Sequence, residues 1–162
     1  MALSPFALDI DSIPLFFRYR DVVFGRGFAA TIATTGRALC VREGDEFVMA
    51  GVEPGGMAVG GSTREEAQET FRRSFTLVLF DIAAEATSFQ AFKDEVERFV
   101  HQTAPATLEE WRLAVDASRQ TVSASVDVAR QPATLPASVV VSHLELAPEQ
   151  NILSEPEHLV AA

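Results

Sequence analysis

The chain has one cysteine, Cys40, in 162 residues. Neither an internal disulfide nor a cysteine-rich zinc site can therefore form within it. Basic charge is also scarce. Thirteen Lys and Arg face 23 Asp and Glu, a net charge of −10 with a sequence pI near 4.7. Of the thirteen only Lys93 is lysine. A chain so charged repels nucleic acid and anionic lipid unless basic side chains gather locally, and a basic protein is its natural partner. Long apolar runs are missing too. The longest, Phe75 to Ala84, is broken by Thr76 and Asp81 and falls well short of the roughly 20 residues that span a bilayer. Met1 to Ile10 has no Lys or Arg ahead of its apolar residues, so it lacks the positive start of a secretory signal. A cytoplasmic protein without a membrane span is expected.

Against these absences, 48% of the residues are apolar and 22% charged, which suits one compact domain. Residues 1–15, with Pro5 and Pro14, read as an extended lead-in. From 16 to 61 the residues are β-type. The runs are Val22–Phe24, Phe28–Ile32, Leu39–Val41 and Phe47–Val52, parted by glycines and polar breaks. Glu43-Gly44-Asp45-Glu46 reads as a hairpin loop, because Gly and Asp tolerate positive φ. Glu53-Pro54-Gly55-Gly56 reads as a second turn, with proline presetting φ and the glycines accepting left-handed geometry. Met57 to Val59 would be a short last strand.

The period changes at Ser62. Thr63-Arg64-Glu65-Glu66 fits a capping box, in which hydroxyl and carboxylate each take an orphan backbone N–H. Ala67, Phe71, Ser74, Phe75, Val78 and Ile82 follow on one helical face. Leu77, Leu79 and Phe80 make the later turns apolar nearly all round, which predicts burial on several sides by this chain or by another subunit. A second helix is predicted from Ser88, with Phe89, Phe92, Val96, Phe99 and Val100 on one side, stopped by Pro105. Thr107-Leu108-Glu109-Glu110 reads as another capping box, opening a short helix with Leu108, Trp111 and Val115 inward. Alternation returns at Val122, Ala124, Val126 and Val128, and again at Val140, Ser142, Leu144 and Leu146. Residues 120–162 carry Arg130 as their single basic residue, and from 147 onward the chain reads as a polar, acidic tail.

Reactive chemistry is thin. Gly25-Arg26-Gly27-Phe28-Ala29-Ala30 matches a dinucleotide fingerprint, but that motif needs a helix aimed at the pyrophosphate. The residues that follow are β-branched or small. A strand whose glycines permit a bulge or close packing is the plainer expectation. His101, His143 and His158 lie too far apart in sequence to share a helical face for a metal. His143 is expected to face solvent, opposite the leucines. Cys40, within Leu39-Cys40-Val41, reads as a small buried hydrophobe. Gly60-Gly61-Ser62 precedes a helix and could cradle an anion, but Glu65 and Glu66 already complement the helix dipole and would oppose a phosphate.

Residues from Leu39 to about Glu85 resemble the HicB-like family. The pattern is Gly44-Asp45-Glu46-Phe47-Val48-Met49-Ala50-Gly51-Val52, then Pro54-Gly55-Gly56-Met57-Ala58-Val59, then Gly61-Ser62-Thr63-Arg64-Glu65-Glu66-Ala67. The family-motif positions are Pro54, Gly55, Gly61, Thr63, Glu66 and Ala67. The resemblance implies a partial ribonuclease-H-like β-β-β-α core without catalytic carboxylates. It also implies an antitoxin that occludes a small basic RNA-cleaving toxin of the HicA type, forms homo-oligomers such as dimers, and uses no cofactor or metal. The family's DNA-binding C-terminal segment has no counterpart in the acidic residues 120–162.

The expected fold is α+β. An antiparallel sheet over 16–61 is backed by a long helix over 63–85, with helices over 88–102 and 107–119. Two further strands, 121–129 and 138–146, extend the sheet or pair with each other. The chain divides into the lead-in, an α+β domain over 16–119, and C-terminal strands with an acidic tail over 120–162. The leading functional expectation is a non-enzymatic antitoxin or interaction module. The others are a small-molecule-binding protein or enzyme that uses the glycine-rich turns, and a phage or structural protein that oligomerises through residues 75–84.

Overall fold

A computed structural model describes residues 12–122 and 138–145. The fold is α+β, as the sequence predicts. Strands β1 (Ser12–Gly25) and β2 (Phe28–Glu43) form one long antiparallel hairpin, paired from Ser12↔Val41 to Gly25↔Phe28. The expected lead-in therefore overlaps a strand from Ser12 onward. Pro14 is tolerated there because β1 is an edge strand, where a missing N–H breaks no ladder. The hairpin turn is Arg26-Gly27, with Gly27 at φ 75°. This is the stretch that matched the dinucleotide fingerprint. No helix follows it, so the glycines serve a two-residue turn. The breaks expected within 28–43 vanish because the polar residues there alternate with core residues along one strand.

Strand β3 (Glu46–Glu53) follows a two-residue turn in which Gly44 has φ 63°, and β4 (Ala58–Gly61) completes the meander. Helices α1 (Arg64–Glu85), α2 (Phe89–Val100) and α3 (Pro105–Val122) come next, then β5 (Ser138–His143). The strand order is β1-β2-β3-β4, all antiparallel, and β5 joins β2 directly. One edge of β2 is shared end to end. Residues 37–43 pair with β3, and residues 30–35 pair with β5. At the junction Ala38 pairs with Gly51 and Arg37 with Glu53. Val52 is the extra residue of a bulge, which bends the strand.

The larger core lies on one face of the sheet. Tyr19, Val23, Ile32, Ala38 and Met49 meet α1 and α2 there. The buried line of α1 is Ala67, Phe71, Phe75, Leu79 and Ala83, a strict four-residue spacing. Val78 and Ile82, expected inward, are half-buried at its flank. The four-residue ridge lets small residues at each end approach the sheet while the rings fill the middle. Leu77 and Phe80 on the outer side of α1 are exposed.

On the other face α3 covers only part of the sheet. Trp111, Ala114, Leu39 and Val52 form a second cluster, flanked by Val41, Leu108 and Val115. Leu108, Trp111 and Val115 thus face inward as predicted. The helix, however, opens at Pro105 and not at Thr107. Proline fits a first helical position, where its missing N–H is an orphan in any case. Arg37 reaches this layer. It pairs with Glu53, the two side chains being 10% and 13% exposed, and it lies 5.3 Å over the Trp111 ring.

The strand expected at 138–146 extends the sheet, but with the opposite side inward. Val141 is buried, while Val140 and Ser142 face out. A one-residue phase error reverses every side chain. Of the strand expected at 121–129, Thr121 and Val122 end α3. The rest lies outside the described residues, as do residues 1–11 and the tail beyond 145.

Candidate functional site

The motif residues gather at one corner, where β3, β4 and the head of α1 meet. Thr63 caps α1. Its hydroxyl accepts the Glu66 N–H at 3.0 Å, and the Glu66 carboxylate accepts the Ser62 N–H at 3.1 Å and the Ser62 hydroxyl. These bonds hold the Glu66 carboxyl below the usual range, the Ser62 hydroxyl contributing most. The reciprocal partner is Ser62, one residue before the cap. A Cβ on Gly61 would stand 2.5 Å from the Ala67 nitrogen, and Ala67 is itself fully buried. Gly61 and Ala67 are small so that strand and helix can touch.

The Pro54-Gly55 corner works in the same way. Gly51 N–H donates to the Met57 carbonyl at 2.8 Å, closing the turn. Gly55 N–H donates to the Gln102 carbonyl at 2.6 Å, and Ala104 N–H to Val52 at 3.0 Å. A Cβ on Gly55 would meet the Ala104 nitrogen at 2.3 Å. Neither Gly55 nor Gly56 has positive φ, contrary to the turn reading. Glycine is required here for close backbone approach to the α2–α3 connection. Pro54 is buried beside it.

The remaining singled-out groups are dispersed. Cys40 is buried, and burial pushes its thiol upward in pKa. His101 is the C-cap of α2. The His143 ring sits 4.9 Å from that of Phe89, so it lies over the α2 side. His158 is outside the described residues. No cluster of metal-ligating side chains occurs among the described residues. Tyr19 joins β1 to α1, its hydroxyl 2.8 Å from that of Thr76 and 2.9 Å from the Asp21 carboxylate. Its pKa is pushed up to about 12, chiefly by burial.

Two grooves flank β1. The first, about 440 Å³, lies between β1 and α1. Its lining includes Leu15, Phe17, Phe71 and Phe75 with Arg18, Arg72 and the carboxylates of Glu65 and Glu69. Among the described residues β1 pairs only with β2, so its outer edge has no strand partner. The second, about 490 Å³, is lined by Arg18, Arg20 and Arg72 with Thr35, Ser138 and Val140. It adjoins the part of the sheet that α3 leaves uncovered. Arg18 and Arg20 are neighbours in the chain, but Arg72 lies about fifty residues away, so no single segment reads as basic. The available signal was period two. Phe16, Arg18, Arg20, Val22 and Phe24 alternate along β1 and share one face.

Comparison of the chain with family models, curated proteins and solved structures returns no match. No helix among the described residues is long and apolar enough to cross a membrane.

Proposed function

We propose that the chain is a non-enzymatic HicB-like antitoxin or interaction module, cytoplasmic, that binds and occludes a small basic protein of the HicA toxin type. One observation carries the reading. Residues 39–85 run as strand, two-residue turn, strand, proline-glycine corner, short strand and threonine-capped helix, the order on which the resemblance rests.

The groove between β1 and α1 suits such a partner. It offers an apolar floor, the Glu65 and Glu69 carboxylates, and a strand edge ready to be extended. The net charge of −10 steers a basic protein toward the chain. Exposed Leu77 and Phe80 on α1 fit the expected homo-oligomer, which mass by light scattering tests. The main experiment is affinity capture with the full chain in its native host. Stoichiometric recovery of a small basic protein supports the reading. Its binding should weaken about tenfold or more in Glu65→Lys/Glu69→Lys, with steep salt dependence. Recovery of no small basic protein overturns the reading.

A further inference from the structure

Eleven basic side chains lie within residues 12–118, and five of them pair with a carboxylate: Arg37, Arg73, Lys93, Arg98 and Arg112. Three of the remaining six, Arg18, Arg20 and Arg72, line one groove. In a chain with 23 acidic residues to 13 basic ones, that groove has no Asp or Glu in its lining among the described residues. Asp21 stands beside the groove and bonds one of its lining residues. Its carboxylate accepts the Tyr19 hydroxyl at 2.9 Å and the Val22 N–H at 2.8 Å.

Three guanidinium groups sharing a small groove repel one another, and no carboxylate among the described residues ion-pairs with them to offset this. An anion would. Each guanidinium presents five N–H donors in a rigid fork matched to phosphate oxygens. The sheet fixes the spacing of two of them. Arg18 and Arg20 stand on one face of β1, opposite Thr35 and Ala33 of β2, so their Cα atoms are about 7 Å apart. The third comes from α1, where Arg72 is held 6.0 Å over the Tyr19 ring. The hydroxyls of Thr35 and Ser138 bond each other at 2.7 Å, which leaves one neutral donor on the far side. Val140 and Ala33 give an apolar wall. A volume of about 490 Å³ is in the range that holds a small organic ligand.

We infer that this groove binds a small phosphate-bearing molecule, a phosphate ester or diphosphate, through Arg18, Arg20 and Arg72, with its uncharged part against Val140. The groove of the proposed protein partner shares Arg18, Tyr19 and Arg72 with this one, but Arg20, Thr35, Ser138 and Val140 line this one alone of the two. A long polyanion is disfavoured, since it must approach a chain of net charge −10 over its whole length.

The test is titration of the full chain with inorganic pyrophosphate at constant ionic strength, followed by calorimetry and by amide NMR shifts. Saturable one-to-one binding is expected, with shifts at Arg18, Arg20, Thr35 and Ser138. Arg18→Ala, Arg20→Ala and Arg72→Ala should each weaken it about tenfold or more, as loss of one charge-assisted pair does. These side chains are exposed, so the variants should stay folded, which unchanged circular dichroism checks. Arg42→Ala removes an arginine outside the groove and should change nothing. No saturable binding overturns the inference, and so does equal weakening in Arg42→Ala. Binding of a single-stranded oligonucleotide without pyrophosphate binding also overturns it, because the face would then read a polymer.

Discussion

The two halves of β2 meet different surroundings. Residues 37–40 are buried, with Ala38 in the core beneath α1 and Leu39 packed with half-buried Val41 against α3. Residues 30–35 are enclosed on one side only. Ala30, Ile32 and Thr34 face the core, while Thr31, Ala33 and Thr35 look out beside the arginines of β1. One strand thus carries a stretch packed on both faces and a stretch packed on one. The difference shows how a sheet divides its work. Where both faces are covered, side chains are chosen for volume. Where one face is open, small and hydroxyl-bearing residues leave room for longer neighbours.

Substitutions measure that contrast, and the largest effect belongs to the enclosed half. Trp111→Ala removes the largest fully buried side chain and should lower stability by about 3–5 kcal/mol, read as a drop in the denaturant midpoint. A loss below 1 kcal/mol would mean that α3 is not part of the core. Next is Arg37→Ala, which strands Glu53 beside that helix. About 2–4 kcal/mol should be lost, and Glu53→Gln in the same background should recover part of it. Thr63→Ala calibrates the scale outside both halves. Loss of the cap should cost about 1 kcal/mol. Its partner Glu66 has a carboxyl held below the usual value. What that carboxylate contributes is present above the ordinary carboxylate pKa and disappears as pH falls through the lowered one. Glu66→Gln should therefore differ from wild type at about pH 7, and the difference should shrink as pH falls through the lowered value; no difference at any pH would refute the cap's role in acid sensitivity. The smallest effect belongs to the open half. Val140→Ser alters a side chain that is 60% exposed and should move stability by no more than about 0.5 kcal/mol. A loss of 2 kcal/mol there would show that the face is covered after all.

Much of this was legible from residue order. The cap at Thr63, the turn at Gly44 and the inward side of α3 are local features, set by spacing within a few residues. The inward phase of β5 was not, since Val139-Val140-Val141 offers apolar side chains to both faces and pairing with Ile32 and Thr34 decides between them. The length of β1 and β2 was hidden by Pro14, Gly25 and Gly36, each of which reads as a break when neighbours across the sheet are unknown. A Cβ on Gly36 would stand 2.4 Å from the Phe17 ring, so that glycine makes room for a cross-strand ring. The motif corner was recognised as a pattern, but the reason for Gly55 lies in Ala104, almost fifty residues away. The arginine groove draws on four elements, and no window of sequence contains it.

The shared edge of β2 bears on how the chain is made. β3 follows its half of that edge directly, whereas β5 reaches the other half only after more than a hundred residues. Throughout synthesis of α1, α2 and α3 the first half of β2 waits with a bare flank, a state in which nascent strands are prone to pair wrongly with other chains. Its Ala-Ala-Thr-Ile-Ala-Thr-Thr composition over 29–35 is poor in bulky apolar groups. A waiting ribbon of that kind offers little grip to a stray neighbour.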